Sequence, residues 1–507
     1  MAHWNTAVST AAISIFMTGS AAYAEVTAQQ VWDDWQAYMA GFGYEMTSSE
    51  SISGDTLTVS DVTMSMQLPD EEMGIRVTIG EFSFTNMGDG TVSVSVPASM
   101  PVKVTVDPEY GEDVELNFDY ATTGYSVIVS GDDNALTYTY AVAGADISME
   151  DIVVDGQSVN LGTVQISMSD IVGVSTMSTG DTRNSSQKFS TGQIIVSVDV
   201  ADPEGGDGRL VFNGDYAGLS FEGAGSFPMN MDMNDVAAML EAGFSFDGTF
   251  TSKGSSSNFN FQEEGDVVQA SSKTTGGTLK VAMDRSKLHY SGSATGIEFQ
   301  IAGADIPLPI EAAMGETGFN LLMPISKSDD EQDFALGITL SDFTTSDLLW
   351  SLVDPSGQLP RDPATIAADL NGKAKLFFDL MNPDEMMSVE SGEMMPGELN
   401  ALNLNSLTVS AAGAELTGKG SFIFDNSDLS TFDGIPAPTG SVDLKLVGGN
   451  GLLDKLVAMG LLPEDQAMGA RMMMGLFAIP GDGEDTLTSK IEVSGDGSIK
   501  ANGQRLK

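Results

Sequence analysis

Val114-Glu115-Leu116-Asn117-Phe118-Asp119-Tyr120 is the stretch that decides the fold class. Apolar and polar residues alternate strictly, and an extended strand points successive side chains to opposite faces. Such a segment belongs in an antiparallel sheet with one apolar and one wet face. Its neighbours repeat the pattern. Val102, Val104 and Val106 stand just upstream, and Val92, Val94 and Val96 before them, interrupted by Pro97 and Pro101. Further out lie Leu57 and Val59, then Val62, Met64, Met66 and Leu68, and downstream Ile194, Val196, Val198 and Val200. Turn signals separate the runs: Gly88-Asp89-Gly90, Gly131-Asp132-Asp133-Asn134 and Gly205-Gly206-Asp207-Gly208. Glycine and aspartate supply the positive φ angles of tight hairpins. From about Ile52 to about Leu340 the chain therefore predicts a meander of hairpins rather than βαβ units.

Helices are expected at the two ends. Thr27 and Gln30 have capping-box spacing, and Val31, Trp35, Tyr38, Met39 and Phe42 share one helical face before Gly41 or Gly43. The last third mixes classes. Short helices are expected at Ser346–Val353, with Leu348, Leu349, Leu352 and Val353 buried and Pro355 as the stop, and at Ala364–Leu370. Strands are expected at Ala374–Leu380, Leu404–Ala411, Glu415–Phe424 and Val442–Val447. A helical hairpin, Gly451–Leu462 and Glu464–Ile479, turns at Pro463, and a last β-hairpin turns through Gly495-Asp496-Gly497. The fold class is mainly β: long antiparallel sheets, curved or sandwiched, with an N-terminal helix and a C-terminal helical hairpin. The expected divisions are a leader over 1–24, the amphipathic helix over 25–45, the β-rich meander over 46–340 and an α+β region over 341–507, with the hairpin at 451–479.

Length and composition bound the rest. The 507 residues predict two or three domains, and 41% hydrophobic residues are enough for packed interiors. Against 22 Lys and Arg stand 72 Asp and Glu, a net charge of -50. That surface repels phosphate backbones and anionic headgroups, so nucleic acid is not an expected partner. With no cysteine, disulfides, thiolate catalysis and thiolate metal sites are impossible. Ala7–Met17 is a short apolar stretch followed by Ala22-Tyr23-Ala24, which reads as a cleavable export signal cut after Ala24, although no Lys or Arg precedes it. No later run is long enough to span a membrane as a helix. The periplasm is the expected compartment.

Motifs with chemistry are few. His289 sits in Lys287-Leu288-His289-Tyr290, where alternation sets it opposite Leu288 and Tyr290 as a surface strand histidine; no G-x-S-x-G elbow accompanies it. Gly413, Gly418 and Lys419 have phosphate-loop spacing, but Gly420 stands where Ser or Thr is needed, and the segment reads as a strand. Asn230, Asp232, Asn234 and Glu241 match calcium-loop positions, yet Asp235 replaces the required glycine; Asn234 or Asp235 capping a helix through Val236, Met239 and Leu240 is the simpler reading. Ser185 and Lys188 have S-x-x-K spacing without its companion motif. Acidic clusters, Asp70-Glu71-Glu72 and Asp329-Asp330-Glu331, read as solvated surface. No cofactor, metal site or enzyme activity is expected. Among 29 methionines, Met386-Met387, Met394-Met395 and Met472-Met473-Met474 stand out, because three consecutive residues cannot share one helix face. The candidate apolar-ligand contacts are therefore Met472, Met473, Met474, Leu476 and Phe477, in a covered groove.

The C-terminal third carries Asp347-Leu348-Leu349-Trp350-Ser351-Leu352-Val353-Asp354-Pro355, Gly449-Asn450-Gly451-Leu452-Leu453-Asp454, Gly460-Leu461-Leu462-Pro463 and Ala501-Asn502-Gly503-Gln504-Arg505-Leu506. With these it resembles domain-of-unknown-function family 2125, uncharacterised exported proteins of alphaproteobacteria. The resemblance implies an envelope protein without catalytic residues to carry over. The long alternating strands and late helical hairpin are also similar to AsmA-type envelope proteins, whose β-grooves handle lipids. The expected function is a non-enzymatic periplasmic module that binds a lipid or other apolar ligand in envelope maintenance. The rival expectation is an envelope protein-interaction module whose sheets close on themselves in a filled sandwich.

Overall fold

The computed structural model describes residues 25–68, 73–108, 113–132, 134–159, 162–202, 206–229, 231 and 235–507. The predicted leader and Asp70-Glu71-Glu72 lie outside these residues, as do Asn230, Asp232 and Asn234. No described helix is long and apolar enough to cross a membrane. Strands dominate, and the thirty among the described residues all join one antiparallel sheet. Pairing runs without a break across residue 340: strand Ile306–Pro324 pairs with Gln332–Thr345, which pairs with Ala364–Leu376, then Gly397–Ala411, Ala414–Asp425 and Ala437–Val447. Of the two architectures the alternation allowed, curved sheet or sandwich, the chain adopts a single continuous sheet. Its accessible surface is 29016 Å², against about 18,000 Å² for a compact monomer of this length.

The sheet bends along one line transverse to its strands. Thr56–Leu68 pairs through Thr56–Val59 with one neighbour and from Val62 onward with another. Gly162–Thr179 divides likewise, with Val172–Thr179 against Thr182–Ser190 and Gly162–Met168 against Ile194–Ala201. Lys287–Gly303 divides between Thr295 and Glu298. At these divisions stand Asp61, Asp170 and Gly296, all at φ near +50°. One left-handed residue inserted in an extended strand is a bulge, which sharpens the bend and shifts the alternation by one. The shift explains why Leu57 and Val59 are odd-numbered and Val62, Met64 and Met66 even, yet all lie on one face. Beside the line, Val59, Val62, Thr122, Val142 and Ala145 on the apolar face are buried, while Asp61, Ala143 and Asp170 on the other are exposed. At this line the fold therefore closes towards the apolar face, which is termed the trough.

Among the described residues six helices decorate the sheet: α1 (Ala28–Gly41), α2 (Val236–Glu241), α3 (Asp347–Val353), α4 (Pro383–Glu390), α5 (Gly449–Ala458) and α6 (Glu464–Phe477). The capping box forms at α1 with both Thr27 and Gln30 engaged. Val31 and Trp32 are wholly buried over Leu57, Val59, Phe84, Val92, Val94 and Val129, with which they form a hydrophobic core cluster. Trp32 was absent from the predicted stripe; a helix lying in a trough is buried over a wider arc than one on a flat sheet. Arg183 fixes α1 from the sheet side. Its guanidinium lies 3.0 Å from the Asp34 carboxylate and 5.4 Å above the Tyr38 ring, and the Tyr138 hydroxyl donates to Asp34 at 3.2 Å.

Three expectations need correction. Ala364–Leu370 is not a helix but the first half of strand Ala364–Leu376, paired on both sides. Its Ile366, Ala368 and Leu370 alternate, and Ala-rich composition alone suggested a helix. The strand predicted at Ala374–Leu380 accordingly ends at Leu376. In α3, Leu348, Leu352 and Val353 are exposed rather than buried; the buried group is Asp354, which accepts the Leu359 amide at 2.7 Å and closes the loop after the helix.

Burial raises the pKa of Tyr138, with Asp34 adding to the effect, and pushes Tyr125 up to about 12. Unfolded tyrosine loses its proton near pH 10, before these folded phenols do. The tyrosine contribution to folding stability is then expected to be flat below about pH 10 and to fall above it, by about 1 kcal/mol per tyrosine for the next pH unit. Thermal melts between about pH 9 and about pH 11 test this, and Tyr138→Phe should shallow the slope.

Candidate apolar binding face

Cross-strand register shows what the trough is lined with. Directly opposed residues share a face, and the row Leu340, Ile366, Val409, Leu416, Leu446 and Leu487 crosses six strands without a polar interruption. A neighbouring row runs Phe319, Ile338, Ala368, Leu407, Gly418 and Leu444. The face opposite presents Thr339, Ala367, Thr408, Thr417, Lys445 and Thr488 in the same register.

Coverage of the apolar face is uneven. At the N-terminal end α1 lies on it. From Lys287–Gly303 to Gly397–Ala411 it is open: Tyr290, Phe319, Leu336, Ile338, Ile366 and Val409 are all exposed, Leu336 at 53% and Ile338 at 48%. Four strand spacings separate Tyr290 from Val409, about 19 Å. Phe299 and Ile310 continue the exposed surface beyond the bend. Scattered surface hydrophobes are normal, but a continuous face of this size marks a binding surface.

The methionine-rich α6 is less covered than predicted. Met472, Met473 and Leu476 are exposed, while Met474 and Phe477 are half-buried. Met474 turns away from its two neighbours, and among the described residues no groove encloses them. Met468, Met472 and Leu476, at intervals of four, form an outward stripe. Met468 was missed, although its spacing could have revealed it. The Ser489 hydroxyl donates to the Phe477 carbonyl at 2.6 Å, and Ser489 pairs with Leu444, so α6 ends at the margin of the apolar face.

The remaining sequence motifs resolve into structure. His289 is half-buried on the polar face, 2.9 Å from Asn320. Gly418, Lys419 and Gly420 lie inside strand Ala414–Asp425, with no helix to complete a phosphate loop. Asp235 caps α2 by accepting the Ala238 amide at 2.9 Å, and Glu241 faces Arg285 at 3.8 Å. Ser185 and Lys188 lie in strand Thr182–Ser190, with Lys188 paired to Glu222. No cluster of three or more potential metal ligands occurs among the described residues. Several carboxyl groups are held below their ordinary pKa: Asp354 by the Gln358 and Leu359 amides, Glu385 by Lys327, and Asp428, at about 2, by Thr431 and Ser430.

No family model matches the chain, and no curated protein matches it. Among solved structures, the ferric preacinetobactin receptor BauA from Acinetobacter baumannii aligns over 91% of this chain and 78% of its own, at 8% identity and a TM-score of 0.12. A likeness that weak carries no argument, so function rests on the geometry above.

Proposed function

We propose that this is an exported, non-enzymatic periplasmic protein that holds a lipid acyl chain along the open part of its apolar trough, serving envelope maintenance. The observation that carries the reading is the uninterrupted aliphatic row from Leu340 to Leu487, exposed at Ile366 and Val409 where none of the described helices covers it. The open stretch of about 19 Å exceeds the depth of one hydrocarbon leaflet, about 15 Å, so an extended acyl chain fits across the strands. Long unbranched ligands suit it because the recognition is non-directional. Met472, Met473, Met474, Leu476 and Phe477 extend the apolar surface beyond its C-terminal margin, where adaptable methionines suit a variable ligand.

Native mass spectrometry with lipid extraction, on protein purified from its own periplasm, tests the reading. Co-purified lipid is the expected result. A clean mass at the bare chain weight, together with failure of delipidated protein to take up any apolar probe, overturns it. The exposed Met468, Met472 and Leu476 stripe favours a second reading, a protein-interaction module with no small ligand. That reading predicts the clean mass, and loss of a protein partner when the hairpin is deleted.

A further inference from the structure

The outer face of the sheet carries a feature that the apolar trough leaves unused. Gln165, Ser197, Asn213, Asn258, Ser271 and Gln300 stand directly opposite one another on six neighbouring strands. Six consecutive strands thus present an uncharged hydrogen-bonding side chain in one straight row, on a chain with a net charge of -50. The nearest carboxylates are engaged: Asp199 by Arg209 at 2.6 Å, Glu311 by Gln300 at 2.9 Å, and Glu298 by Lys273 at 3.7 Å.

Stacked amides in a sheet often bond to each other as a ladder. Here they do not. Among the described residues Asn213, Asn258, Asn260 and Gln269 make no side-chain hydrogen bond, so their donors and acceptors face outward. Two contiguous furrows run along the row, of about 360 and about 620 Å³, sharing Asn258, Ser271 and Gln300. The smaller has apolar Val211 and Ala302 in line with Asn260 and Gln269. The larger ends at Ser346, whose hydroxyl is buried and without a partner.

We propose that this furrow binds a neutral oligosaccharide. Sugar hydroxyls both donate and accept, as amide side chains do, and a pyranose ring has an apolar C–H face to set against Val211 and Ala302. An anionic glycan would be repelled by the surrounding acidic surface. The row spans five strand spacings, about 24 Å, which suits a short chain of sugars rather than a monosaccharide.

Isothermal titration of the whole mature protein with soluble N-acetylglucosamine oligomers and cello-oligosaccharides tests the proposal. At least one series should bind, more tightly with chain length, and Asn213→Ala with Asn258→Ala should weaken it about tenfold or more. Both positions are exposed, so circular dichroism should confirm an unchanged fold. Uptake of an alkyl probe by the opposite face should be unaffected, which separates this proposal from the lipid reading. No heat with either series at millimolar ligand, or equal binding by the double variant, overturns it.

Discussion

Trp32→Ala is expected to lower the unfolding free energy by about 3–5 kcal/mol, the range for removing a buried tryptophan. Trp32 has no exposed surface, and its ring lies 5.9 Å from Phe84 while Trp35 meets the same ring at 5.2 Å. Its indole donates to Glu50 at 2.7 Å, tying α1 to the first strand. Alanine removes the largest fully buried side chain among the described residues, and the close-packed core around it leaves little room for collapse. Trp32→Phe keeps most of the apolar area and loses the hydrogen bond, so about 1 kcal/mol is expected. Urea denaturation followed by far-ultraviolet circular dichroism measures both. Equal, small effects would mean that α1 undocks before the sheet unfolds, and that this core does not belong to the main cooperative unit.

Much of this architecture was legible because alternation is a direct image of a two-faced sheet. The helix at Thr27 announced itself by its cap, and the hairpin at Pro463 by its length and punctuation. The bend was written in the same residues. The step from Leu57 and Val59 to Val62, Met64 and Met66 records the inserted Asp61, but in sequence it looks like the end of one strand and the start of another. Only pairing shows that both runs line one surface. Ala364–Leu370 failed for the opposite reason: alanine fits helix and strand alike, and its neighbours on both sides decide the outcome. The binding surface was legible only as chemistry. Alternation marks Leu336, Ile338 and Leu340 as apolar, yet nothing local says whether a helix covers them. Methionine clustering drew attention to α6, while the larger exposed surface is built from ordinary leucine, isoleucine and phenylalanine brought together by register.

That distinction sets the second large effect. Leu336→Glu with Ile338→Glu is expected to weaken binding of a fluorescent alkyl probe by about 100-fold or more. Burying an aliphatic side chain fully contributes about 1.5–3 kcal/mol, and with these two roughly half exposed, about half of that remains to be gained from a ligand. Two such losses reach about 10- to 100-fold, and a carboxylate that must be desolvated against an alkyl chain adds more. Stability should fall by only about 1 kcal/mol per site, because both positions are open and the main cost is β-propensity. Thr339→Glu with Ala367→Glu is the control: it adds the same two charges beside the site on the other face. If both variants weaken binding alike, long-range repulsion is responsible and the trough is not the site. If neither does, the probe sits elsewhere, with α6 the next surface to test. Loss confined to Leu336→Glu with Ile338→Glu would leave one explanation: the alkyl chain lies on the inside of the bend, against the rows that pairing assembles there.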